Sequence, residues 1–69
     1  MLKKGRYQHY KGNFYEVLDE VTHSESEETL VLYRPLYGEM KLWVRPLEMF
    51  IQILPSGQKR FTFVSDIHE

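Results

Sequence analysis

The segment Tyr33-Arg34-Pro35-Leu36-Tyr37-Gly38, followed by Leu42-Trp43-Val44-Arg45-Pro46-Leu47-Glu48-Met49-Phe50, holds the side chains of this chain best suited to recognition. A guanidinium grips phosphate or carboxylate bidentately. An exposed indole or phenol ring stacks flat groups, at about 1–3 kcal/mol per nucleic-acid base. Strand alternation puts Trp43 and Arg45 on one face. Arg34, Tyr37, Trp43 and Arg45 therefore read as a groove, with Tyr10 at its edge. The same residues have a competing structural use: Trp43 as the core plug and the arginines paired with Glu39 or Glu48. Protected, blue-shifted Trp43 emission is the mark of that use.

A second cationic set, Lys3, Lys4, Arg6 and Lys11, lies beside Tyr10 and Phe14. Basic residues interleaved with aromatic rings are the footprint of a nucleic-acid surface. Against it, the net charge is −1. The acids Glu16, Asp19, Glu20, Glu25, Glu27 and Glu28 follow the basic opening and read as a solvated stretch and loop. Single-stranded nucleic-acid binding is thus the first alternative function, and a small enzyme or accessory subunit is the second.

Catalysis has little to work with. His9, His23 and His68 show no metal-ligand spacing. His23 with Glu25, Glu27 and Glu28 lacks the rigid glycine-centred pattern of a calcium loop. Ser24, Ser26, Ser56 and Ser65 sit in no strand-to-helix elbow, and a catalytic set needs His9 to meet a carboxylate such as Glu48. The expectation is no enzyme, no metal and no cofactor. Assembly is the third class. Pro35 and Leu36, between Tyr33 and Tyr37, form an apolar turn that a homodimer would cover.

These side chains must be positioned by very few elements. The chain has 69 residues, enough for one domain. A domain of that size buries only roughly 60% of its unfolded surface. There is no cysteine, so disulfides and thiolate sites are excluded. The aromatic fraction of 14% makes a dense ring core credible, each ring burying about 150–250 Å². No apolar run approaches the ~20 residues of a membrane span. Met1-Leu2-Lys3-Lys4-Gly5 leads into no apolar signal core, so a cytoplasmic address is expected.

Glycine, proline and asparagine fall between runs of β-formers. Strands are expected at Gly5–Tyr10, Phe14–Val21, Thr29–Arg34 and Lys41–Arg45. Ile51–Leu54 and Arg60–Val64 read as a hairpin around Pro55-Ser56-Gly57-Gln58. Tyr7 and His9 share one face of the first strand. Tyr15, Val17, Asp19 and Val21 share one face of the second. The run Leu30-Val31-Leu32-Tyr33 suggests burial on both faces. Pro46–Phe50 reads as a short helical turn, and Ser65–Glu69 as a frayed tail. Five or six short strands with one helical turn define an all-β chain, read as a small SH3-like, partly open barrel. A five-stranded OB barrel is the rival.

With the strands placed, the motifs themselves carry a resemblance. The opening Gly5-Arg6-Tyr7-Gln8-His9-Tyr10-Lys11-Gly12-Asn13-Phe14-Tyr15-Glu16-Val17-Leu18 resembles that of a small bacterial family catalogued as domain of unknown function 1653. The block Leu32–Gly38, the block Leu42–Phe50 and the ending Arg60-Phe61 are similar to its other signatures. The resemblance implies a single short SH3-type domain in a bacterium and carries no activity, ligand or catalytic residue. The sequence thus points to a non-catalytic binding or interaction module whose partner is a protein, a peptide or a second copy.

Overall fold

The computed structural model describes residues 2–66. Five strands and one helical turn follow in order: β1 Gly5–His9, β2 Phe14–Thr22, β3 Thr29–Pro35, β4 Trp43–Pro46, α1 Leu47–Phe50 and β5 Phe61–Ser65. They form one antiparallel sheet in the order β4-β3-β2-β1-β5. Consecutive strands are neighbours until β5, which returns to the far side of β1.

The core lies on one face of this sheet. Alternation puts Tyr7 of β1, Tyr15 and Val17 of β2, and Val31 and Tyr33 of β3 on it. Phe61 of β5 and Phe50 of α1 complete the cluster. Pro46 caps α1 without a side-chain hydrogen bond. The turn is held by the Ile51 N–H bond to Leu47 O at 3.0 Å. Its main product is the placement of Phe50, which stacks on Phe61 with centroids 4.0 Å apart. Tyr7 and Tyr33 meet Phe50 edge-on at 5.4 and 5.6 Å.

Three expectations shift. The expected Ile51–Leu54 strand shrinks to a single bridge between Ile53 and Lys59. The stretch instead forms a turn closed by Leu54 N–H to Gln58 O. In β3 only Val31, Tyr33 and Pro35 are buried, while Leu30 and Leu32 are half-buried. One sheet with one covered face gives alternation rather than burial on both sides. In β2 a register shift between Val17 and Asp19 breaks the alternation. It leaves Asp19 exposed and sets Glu20 opposite the buried Val31. There Glu20 Oε2 accepts the Leu2 N–H at 2.6 Å. Ser65, expected in a frayed tail, closes β5. The rest of that tail beyond Asp66, with His68, lies outside the described residues.

Candidate functional site

Trp43, Arg45 and Tyr37 of the expected recognition set lie against the aromatic core. Trp43 sits directly opposite Tyr33 across the β3–β4 ladder, and the two rings meet edge-on at 6.0 Å. Arg45, two residues on, shares that face. Its Nε donates to the Tyr33 hydroxyl at 3.2 Å, and its guanidinium carbon lies 5.7 Å from the Phe61 centroid. Tyr15 adjoins Tyr33 at 5.7 Å, and its hydroxyl lies 3.0 Å from that of Tyr37. Tyr33, Tyr15 and Phe61 therefore form a buried aromatic floor, with Trp43, Tyr37 and Arg45 above it.

Trp43 is 44% exposed and Tyr37 45% exposed. These values set aside the core-plug reading of Trp43, because Phe50 from α1 already fills that place. The arginines do not pair with Glu39 or Glu48 as the structural use required. Glu39 pairs with Lys41 at 3.1 Å. A depression of about 170 Å³ opens between Tyr37 and Trp43, with Pro35 on its wall. Gly38 and Met40 shape its rim, both at positive φ.

The β1–β2 turn and the start of β5 bring a further set of side chains together around His9 and Phe61. The His9 ring packs 4.9 Å from Phe61 and 4.5 Å from Tyr10. Its Nδ1 accepts the Lys11 N–H at 3.2 Å. Arg60 precedes β5, and its carbonyl accepts the Tyr10 N–H at 3.0 Å. The Arg60 guanidinium donates to Gln52 Oε1 at 3.2 and 2.9 Å. Burial, then the charges of Arg60, Arg45 and Lys11, hold the His9 pKa below its ordinary 6.5. A lowered folded pKa means that His9 supports the fold above 6.5. That support is lost as pH falls through the folded value.

Tyr15 is shifted the other way. Burial, and then the Tyr37 hydroxyl, push its phenol up to about 12 from 10.0. Its contribution to stability is complete below pH 10 and disappears between 10 and about 12. Tyr37→Phe removes the hydrogen-bonded partner, so Tyr15 is expected to ionise at a lower pH than in the parent. The ring ¹³Cζ shift of labelled tyrosine followed to alkaline pH checks this. An unchanged Tyr15 midpoint would show that the hydroxyl pair does not bias it.

Arg34 belongs elsewhere. It points from the opposite face of β3, across from Glu16 of β2. Its Nε comes within 3.4 Å of Glu16 Oε1, near enough for charge attraction but without hydrogen-bonding geometry. Tyr10 is 40% exposed and reaches the site through His9. The four N-terminal cations do not act as one stripe. Lys4 pairs with Asp19 at 3.7 Å, and Lys3 lies 4.6 Å over Phe63. Arg6 is exposed and aligned with Glu16, and Lys11 lies 5.8 Å over Tyr10. The apolar turn expected at Tyr33–Tyr37 is largely consumed by the fold, since Tyr33 and Pro35 are buried. His9 and Glu48 keep different company: His9 lies against Phe61, and Glu48 lies beside Glu28 and Thr29.

A larger hollow, about 420 Å³, lies at Leu2, Glu20, Leu47 and Ile51. Its one carboxylate is already used by the Leu2 N–H. Residues that sequence reasoning left out of the site are His9, Tyr15, Tyr33, Arg60 and Phe61. The parity of Tyr7 and His9 on β1 was the available signal for His9. Arg60 had none, because its neighbours come from a β-bridge loop and a distant turn.

Fold and face define a class: a small all-β domain of five antiparallel strands presenting a half-exposed aromatic and arginine surface. Within that class the chain belongs to a family described as protein of unknown function (DUF1653), whose model matches residues 5–63. That span runs from the start of β1 into β5. A crystal structure of a DUF1653 protein from Bordetella bronchiseptica superposes with a TM-score of 0.83 at 30% identity. The similarity covers 96% of this chain and 91% of that one. No curated protein matches the chain.

Proposed function

We propose that this domain is a non-catalytic binding module that receives a peptide or protein segment on the face of Tyr10, Tyr37, Trp43 and Arg45. The observation that supports it best is the state of Trp43. An indole kept 44% exposed above a buried aromatic floor offers contact area that the fold does not need. Arg45 is held beside it by a neutral hydroxyl, which restricts the side chain without neutralising it. A recognition surface gains from such restraint, because less side-chain freedom is lost on binding. The SH3-like reading is supported by the order β4-β3-β2-β1-β5 with a helical turn ahead of the last strand. The setting we propose is the bacterial cytoplasm, and the Bordetella origin of the similar structure supports its bacterial part.

Peptides selected from a random display library against the domain are expected to bind Trp43→Ala at least tenfold more weakly. A hot-spot aromatic contributes about 2 kcal/mol or more. The melting temperature of Trp43→Ala, measured alongside, separates lost binding from lost fold. Selected peptides that bind parent and variant equally would sink this reading. A second reading, single-stranded nucleic acid on the same face, is favoured by one observation. Arg45, Arg60 and Lys11 enter no ion pair among the described residues. Its signature is affinity that falls steeply with added salt.

A further inference from the structure

We propose that two adjoining hollows at Leu2 and Ile51 form a groove for one acyl chain, with Lys59 and Lys3 taking its carboxylate. The groove shares no residue with the depression at Tyr37 and Trp43, so it stands or falls apart from the peptide face.

Its shape is the first support. The larger hollow, about 420 Å³, is walled by Leu2, Leu47 and Ile51. A smaller one, about 200 Å³, has Leu2 and Ile51 in common with it and continues over Tyr7, Phe50 and Phe63. Ligand sites usually measure about 300–1,000 Å³ and are mostly apolar with a few polar groups. Two hollows joined at shared residues suit a flexible chain better than a single ring. Ile51 is the part that the fold leaves open. Its N–H closes α1 on Leu47, while its side chain is 55% exposed. Leu2, Leu47 and Phe63 are only partly buried against the core. A chain laid over them removes that apolar surface from water, with a gain proportional to its area.

Restraint is the second support. The Leu2 N–H donates to Glu20 Oε2 at 2.6 Å, and the Tyr7 hydroxyl donates to the Lys3 carbonyl at 2.6 Å. These two bonds fix the main chain of the N-terminal segment beside the groove, so little freedom is lost there on binding.

Charge is the third and names the ligand. Among the described residues, Lys59 is the only charged one lining the smaller hollow. Lys3 reaches the same end, since its Nζ lies 4.6 Å over the Phe63 ring. Neither ammonium enters an ion pair among the described residues. Lysine lays its stem on apolar surface and keeps its ammonium at the water, which is the form of a mouth for an anionic head above an apolar interior. Glu20 lines the larger hollow and repels such a head there. The ligand is thereby oriented, with its carboxylate at Lys59 and Lys3 and its methyl end toward Leu47. The ligand is a free fatty acid of medium chain length.

The test is NMR of the domain labelled at leucine, isoleucine and lysine, at low salt and below micellar concentrations. The probes are decanoate, octanoate, decanol and acetate. Decanoate is expected to move the Leu2, Leu47 and Ile51 methyls together with the Lys59 and Lys3 ε-carbons. It should bind roughly tenfold more tightly than octanoate, because each buried methylene contributes a factor of about three to four. It should also bind severalfold more tightly than decanol, and acetate should leave the methyls in place. Lys59→Gln is expected to weaken decanoate severalfold and to leave decanol unchanged. Ile51→Glu sets a carboxylate in the groove and should abolish decanoate binding, with its melting temperature measured alongside. If Ile51→Glu fails to fold, Lys59→Gln still decides.

Equal affinity of decanoate and decanol, or a Lys59→Gln variant that binds decanoate as well as the parent, overturns the carboxylate assignment. Affinity that does not depend on chain length overturns the groove. Methyls that stay silent with every probe overturn it outright and leave the Trp43 face standing. Sedimentation with phosphatidylglycerol vesicles, without a decanoate shift, makes the patch a membrane contact and overturns the proposal as well.

Discussion

Phe50→Ala is expected to leave most of the domain unfolded at room temperature. Phe50 is only 1% exposed and lies flat on Phe61, with the edges of Tyr7 and Tyr33 against it. Removing a buried phenyl ring costs about 3–5 kcal/mol, part lost transfer energy and part cavity. A chain of 69 residues has a total stability of roughly 3–10 kcal/mol. The loss is therefore comparable with the whole. The site cannot collapse easily, because α1 is one turn held by the backbone at Ile51 and delivers no other buried ring. Urea unfolding followed by far-ultraviolet circular dichroism checks this. Phe50→Leu, which keeps much of the volume, should lose far less. If Phe50→Ala lowers the melting temperature by less than about 5 °C, worth about 1 kcal/mol in a domain of this size, Phe50 is not the core's anchor.

Gly5→Ala is expected to be the most damaging of the glycine substitutions. Gly5 has φ +140°, and a Cβ there would lie 2.6 Å from the Ser65 carbonyl oxygen. It would also approach Phe63 and the Asp66 backbone at 3.1 and 3.3 Å. Backbone strain alone costs about 1–3 kcal/mol. The clash is with main chain, so relief requires β5 to move off β1 at the point where their register shifts, between Arg6 and Tyr7. Gly12 and Gly57 also have positive φ, at +111° and +91°, but a Cβ at either meets nothing within 4 Å. Thermal melts of Gly5→Ala, Gly12→Ala and Gly57→Ala should place Gly5 clearly lowest. Equal losses at all three would mean that conformation, not the close approach of β1 and β5, governs Gly5.

The two predictions touch different layers of the same argument. Phe50 tests the ring cluster that closes the core face. Gly5 tests the strand pairing that brings Phe61, and with it His9 and Arg45, to one place. Damage to either should also disperse the aromatic face.

Much of the architecture was legible because it is local. Alternation along β1 put Tyr7 and His9 together, and the early part of β2 put Tyr15 with Val17. Pro46 opening a turn and the shared parity of Trp43 and Arg45 were equally readable. Strand content follows from side-chain period and turn chemistry, which need only neighbours in sequence.

What sequence could not supply depended on register and closure. A shift inside β2 reversed the roles of Asp19 and Glu20, and parity counting has no way to see an extra residue. Arg34 fell on the outer face beside Glu16 because it neighbours the buried Tyr33. Trp43 was left half-exposed because Phe50, arriving from α1, took the central place. The contact of both His9 and Arg45 with Phe61 required β5 to return beside β1. The sequence by itself determined where β1 to β5 fall and which face of β1 and of early β2 is apolar, since those follow from the two-residue period. Only the tertiary structure decided which charges share a neighbourhood, because that depends on contacts between residues far apart in the chain.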